Sequence, residues 1–94
     1  AGLEVQPAYA ALARRNAAAN GLALEVVEGD VAAPPAALRG RPFDRVLMNP
    51  PFFDRGRSLP AADPGREAAH GAAAPLAAWA GLAARRLRPG GTLT

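Results

Sequence analysis

The chain has 94 residues, enough for one small domain with a modest core. Half of them are hydrophobic, but alanine inflates that figure and aromatics reach only 5%, so large core side chains are scarce. The net charge is a mild +3, carried by eleven arginines and no lysine, and with no cysteine and a single histidine neither a disulfide framework nor a thiolate or all-histidine metal centre can form.

Residues 1 to 5, "AGLEV", read as a strand ending at Glu4 and Val5. Gln6 and Pro7 then open a helix, with proline at an early position where its missing N–H costs nothing. Tyr9, Leu12, Ala13, Asn16 and Ala17 recur at helical spacing through "AYAALARRNAAANG", which places Arg14 and Arg15 on the solvent side. Asn20-Gly21 is a C-terminal stop signal. The stretch 22–30, "LALEVVEGD", alternates apolar and acidic residues and predicts a strand running into an acidic loop at Gly29-Asp30.

"VAAPPAALRGRP" carries three prolines, two of them adjacent, and reads as a connector with at most a short helical turn. "FDRVLMN" predicts a further strand, and its continuous Val46-Leu47-Met48 run implies burial on both faces. The segment 53–74 is a long loop rich in Gly, Pro, Arg and Asp, and loops beyond about 12–15 residues are usually functional or disordered. A helix follows from Pro75 to Leu87, with Leu76, Trp79, Ala80, Ala83 and Leu87 as its buried stripe. Pro89-Gly90-Gly91 is expected to end it, and Thr92 to Thr94 to begin another strand.

Strands alternating with helices imply a parallel sheet covered by helices. No apolar run approaches the roughly 20 residues of a membrane span, and no basic, apolar, small-residue signal opens the chain. A soluble, cytoplasmic protein is the expectation. The beginning at "AGLEV" and the ending at "GGTLT" both look like cuts within a larger domain.

In open parallel sheets ligands bind beyond the carboxyl ends of the strands. Three predicted strands end there in polar residues: Glu4, Asp30 and Asn49. An acid at one strand end can accept hydrogen bonds from both hydroxyls of a ribose, and an acid at the next can accept from an adenine amine. Each alone also fits a helix cap or a solvated loop residue. In "NPPFF" the Asn49 side-chain carbonyl and the Pro50 backbone carbonyl can accept the two hydrogens of one primary amine. Pro50 and Pro51 fix φ and lower the cost of holding that geometry. Phe52 offers a flat face to a planar base. The structural alternative is a rigid turn with a half-buried aromatic.

With these residues in view, the chain resembles class I S-adenosylmethionine-dependent methyltransferases that carry an NPPF motif and modify planar amino groups. The run "LEVQPAYAALARRNAAANGL", then "VVEGD", "FDRVLMNPPFF" and "ARRLRPGGTL", is similar to the bacterial tRNA adenine-N6 methyltransferases acting on valine tRNA. The resemblance implies a Rossmann-like α/β fold, here a partial doubly wound parallel sheet, with S-adenosylmethionine as cofactor and tRNA as partner. It assigns Glu4 to the ribose, Asp30 to the adenine amine, Val31 to the border of the adenine ring, and Asn49, Pro50, Pro51 and Phe52 to catalysis. Asn49 also borders the cofactor. Phe53 packs under the loop. Arg55, Arg57 and Arg66 either contact tRNA phosphates or are ordinary solvated residues. His70 reads as a loop or helix-start hydrogen-bonding residue rather than a general base.

The family pattern also has a first strand with a glycine-rich loop, and closing strands, that this sequence lacks. The segment therefore reads as an internal portion of one methyltransferase domain, inactive and a poor cofactor binder alone. Three alternatives stand beside the adenine reading: guanine-N2 methylation of rRNA, glutamine-N5 methylation of a protein, or a non-catalytic Rossmann-like remnant.

Overall fold

The computed structural model describes residues 1–50 and 74–94. Pro51, Phe52, Phe53, Arg55, Arg57, Arg66 and His70 lie outside the described residues, as do the expectations attached to them. The chain divides into two compact units, Ala1–Arg41 and Pro42–Thr94, and each is taken by itself.

In the first unit, β1 (Gly2–Glu4) leads into α1 (Pro7–Ala19), which returns the chain to β2 (Val26–Glu28). The two strands pair in parallel, with Gly2 opposite Val26 and Glu4 opposite Glu28. Helix α1 begins where the sequence predicts. Gln6 is its N-cap in an extended conformation, and Pro7 takes the first helical position. The helix ends in a Schellman motif: Gly21 N–H donates to Ala18 O at 3.1 Å and Leu22 N–H to Ala17 O at 2.9 Å. Gly21 has φ +63, a conformation that a Cβ would strain.

The buried face of α1 is rotated from the predicted stripe. Ala10 and Ala17 are buried and Ala13 half-buried, while Tyr9, Leu12 and Asn16 are exposed. Small side chains let the helix axis approach the strands closely, and the bulkier residues are left on the flank. Arg14 is also not simply solvated. Its guanidinium donates to Glu28 Oε1 at 2.7 Å and to the Val26 carbonyl at 2.9 Å, tying α1 to β2.

Strand β2 ends where expected, before the Gly29-Asp30 loop, but starts at Val26 rather than at Leu22. Leu22 is taken up by the helix stop, and Leu24 N–H donates back to Leu22 O at 2.9 Å instead of joining a ladder. The paired residues are Val26–Glu28, opposite Gly2–Glu4. Leu22 and Leu24 are accordingly exposed. Beyond β2 the connector contains a 3-10 turn, Ala36–Leu38, the short helical turn expected there, with Pro35 as its N-cap and Leu38 buried.

In the second unit, β3 (Phe43–Val46) pairs in parallel with β4 (Leu87–Leu93), and α2 (Leu76–Arg86) packs on both. The ladder continues past β3, with Thr94 N–H on Val46 O at 3.0 Å and Met48 N–H on Thr94 O at 2.9 Å. The expected two-sided burial of Val46-Leu47-Met48 does not hold. Val46 and Met48 are half-buried, but Leu47 is 81% exposed. Side chains alternate across a strand, and Leu47 lies on the face that no described element of this unit covers.

Helix α2 matches the predicted span to within a residue at each end, with Pro75 and Leu87 as its caps. Its stripe is narrower than predicted. Ala83 is buried, Trp79, Ala80 and Leu87 are half-buried, and Leu76 is exposed. Trp79 is thus partly covered rather than central, and its buried Nε1–H has no acceptor among the described residues.

The strand expected at Thr92–Thr94 begins earlier, and no loop separates it from the helix. Helix α2 ends at Arg86, and β4 starts at once at Leu87. Phe43 faces Leu87, but Arg45 already faces Thr92, so the Pro-Gly-Gly segment is a bulge within the strand. Arg88, which opens the bulge, pairs with Asp44 at 2.8 Å.

Candidate functional site

The parallel register of β1 and β2 carries both predicted acids to one edge. Glu4 closes β1, and Asp30 follows β2 by two residues. Pairing extends one step further through Gly29 N–H, which donates to the Glu4 carbonyl at 3.0 Å. Both side chains are half-buried.

Each acid spends one carboxylate oxygen on the backbone. Glu4 Oε1 accepts the N–H of Gln6, the α1 N-cap, at 2.8 Å. Asp30 Oδ1 accepts the N–H of Ala32 at 2.8 Å, an Asx turn that closes alongside the Ala33 N–H to Asp30 O bond at 3.2 Å. Glu4 Oε2 and Asp30 Oδ2 accept nothing among the described residues. The local bonds hold each carboxylate in place, and one oxygen of each remains for an outside donor. Val31, half-buried, lies within the same turn.

Asn49 is the first residue past the β3–β4 ladder, at the carboxyl end of β3. It is exposed, and its carboxamide makes no hydrogen bond among the described residues. Pro50 directly after it is buried. The proline ring fixes the backbone φ directly after Asn49. The remainder of the NPPF segment, Pro51 and Phe52, lies outside the described residues, as do Arg55, Arg57 and Arg66.

Two features escaped the sequence reading. Gln6 supplies the N–H that orients Glu4. Pro35 closes on Gly29, beside Asp30: a Cβ on Gly29 would lie 2.8 Å from Pro35 Cδ. The double proline five and six residues after Gly29 was the available signal, but proline spacing in a connector does not say what its rings touch. No three His, Asp or Glu side chains converge as a metal site among the described residues. No helix among them is long and apolar enough to cross a membrane.

No curated protein and no solved structure matches the chain. The family model described as "Methyltransferase small domain" matches it over residues 2–94, which takes in every element above. That match accounts for the mixed α/β make-up with short parallel strand pairs, as part of a Rossmann-like methyltransferase fold. The chain belongs to the methyltransferase small domain family, whose members are S-adenosylmethionine-dependent methyltransferases.

Proposed function

We propose that the protein methylates the exocyclic amine of a nucleobase, with adenine in tRNA as its target, in the cytoplasm. The observation that carries this reading is Asn49: an exposed carboxamide with no bond among the described residues, at a strand's carboxyl end and on a buried proline.

The acids of the first unit fit a nucleoside. Glu4 and Asp30 each keep one carboxylate oxygen for a donor, and a ribose offers hydroxyls where an adenine offers an amine. Glu4 is assigned to the ribose, Asp30 to the adenine amine and Val31 to the border of the ring. S-adenosylmethionine, when bound, supplies an electrophilic methyl group on a positively charged sulfur.

Asn49 acts on the other reactant. Its Oδ1 and the Pro50 carbonyl accept the two amine hydrogens of the target base, which draws the nitrogen lone pair out of conjugation with the ring and leaves it free. Transfer would form one bond from the nitrogen to the methyl carbon and break that carbon's bond to sulfur, whose electron pair would leave with the sulfur as a neutral thioether, and the nitrogen then gives up one proton to water. A methylated, positively charged amine is acidic enough that no strong base is required. Pro51 stiffens the turn, Phe52 lies against the base, and Arg55, Arg57 and Arg66 meet backbone phosphates.

The test is single-turnover methyl transfer by the intact protein to unmodified tRNA, with rRNA and a glutamine-bearing protein substrate run beside it. Asn49→Ala should slow transfer by roughly a hundred- to a thousandfold, the usual cost of removing one positioned transition-state hydrogen bond. Cofactor binding should change little. Transfer at the wild-type rate by the variant, or transfer to the protein substrate alone, would defeat the proposal.

A further inference from the structure

The carboxyl ends of β1 and β2 converge on Gly29. Its N–H holds the Glu4 carbonyl at 3.0 Å, and the next residue in the chain is Asp30. On its other side stands the ring of Pro35. A Cβ on Gly29 would fall 2.8 Å from Pro35 Cδ, 2.9 Å from Pro35 Cγ and 3.4 Å from Leu3 Cδ1. The φ of Gly29 is not positive, so the demand is for space and not for a special backbone conformation.

Pro35 has little freedom to retreat. Its own φ is restricted by the ring, it is the N-cap of the 3-10 turn, and that turn is anchored by buried Leu38. At the return of the connector the Arg41 guanidinium pairs with Glu25 Oε2 at 2.8 Å, an ion pair whose two side chains are about half exposed. Contact between Gly29 and Pro35 thus fixes the path of the chain from β2 into the Asx turn of Asp30.

We infer that Gly29 and Pro35 are positioning residues for the nucleoside end of the cofactor site, setting where Asp30 stands relative to Glu4 by backbone-to-ring contact. The inference rests on the reading that Glu4 and Asp30 hold the nucleoside.

The test titrates S-adenosylmethionine and S-adenosylhomocysteine into the intact protein and into Gly29→Ala, Pro35→Ala, the double variant, Glu4→Gln and Asp30→Asn. Thermal midpoints and steady-state kinetics are measured alongside. Gly29→Ala displaces the Asp30 turn and should weaken binding by about tenfold to a hundredfold, the loss expected when one charged hydrogen bond to the ligand is misplaced. The loss should fall on KM for the cofactor rather than on kcat. Pro35→Ala removes the ring atoms that a new Cβ would meet, so it should weaken binding only about threefold, through a looser turn. The double variant should bind like Pro35→Ala, and because removing the ring relieves the clash and restores stability as well, affinities are compared at a temperature where the thermal midpoints show every variant fully folded. Should Gly29→Ala fail to fold, the double variant must restore both folding and binding to the Pro35→Ala level.

Wild-type affinity in Gly29→Ala, or a double variant no better than Gly29→Ala alone, overturns the inference. So does wild-type affinity in Pro35→Ala. If Glu4→Gln and Asp30→Asn both bind like wild type, the assignment of the acids fails and the inference falls with it. If those two weaken binding while Gly29→Ala does not, only the inference falls.

Discussion

Replacing Glu4 separates two jobs that one carboxylate performs. Its Oε1 accepts the Gln6 N–H at 2.8 Å, and its Oε2 is left for a ligand. Glu4→Ala strips the N-cap residue of α1 of its partner. An unmade hydrogen bond costs about 1–3 kcal/mol, and because both residues are only half-buried the lower end applies. Loss of a carboxylate beside a helix N-terminus adds about 0.3–1 kcal/mol. A total near 1.5 kcal/mol is on the order of a 5–10 °C fall in thermal midpoint for a domain of this size. Glu4→Gln keeps an oxygen for Gln6 N–H and loses only the charge, so its stability should stay within about 0.5–1 kcal/mol of wild type. Both variants lose the anionic acceptor. A hydrogen bond to a charged group contributes roughly 1.5–3 kcal/mol, so affinity for S-adenosylhomocysteine should fall by about tenfold to a hundredfold. Urea unfolding and calorimetric titration of the intact protein read the two effects independently. Wild-type affinity in Glu4→Gln would refute the ligand role. Wild-type stability in Glu4→Ala would refute the anchoring role of the Gln6 bond.

Gly21→Ala places a Cβ at φ +63 in the stop of α1, and should destabilise the protein by about 1–2 kcal/mol in denaturant titrations. An unchanged midpoint would mean the helix ends differently in solution. For Arg14 and Glu28, both about half exposed, a double-mutant cycle should give a coupling under about 1 kcal/mol that shrinks in high salt. A salt-insensitive coupling of several kcal/mol would show that the pair is buried in the working protein.

Where the chain turns from helix to loop, local chemistry decides, and the sequence was a sufficient guide. Proline at the first helical position and Asn20-Gly21 at the end bracket α1 because caps involve only residues a few positions apart. The polar residues Glu4, Asp30 and Asn49 could be placed at strand ends for the same reason: an apolar stretch gives way to turn formers within a few positions. The NPPF segment carried the resemblance by its order alone, although the structure describes it only as far as Pro50.

Other features depend on partners distant in the chain. Which face of α1 is buried depends on how closely the strands approach, and alanines rather than Tyr9 and Leu12 permit that approach. Which residues of 22–30 pair is decided by β1, more than twenty positions away, which meets Val26–Glu28. Pro89-Gly90-Gly91 reads as a helix stop, yet pairing of β4 with β3 absorbs it as a bulge. The salt-bridge partner of Arg14 and the ring that closes on Gly29 follow from the same cause. Spacing along the chain sets what a residue can do, while only the pairing of strands and the return of the connector decide which atoms it meets.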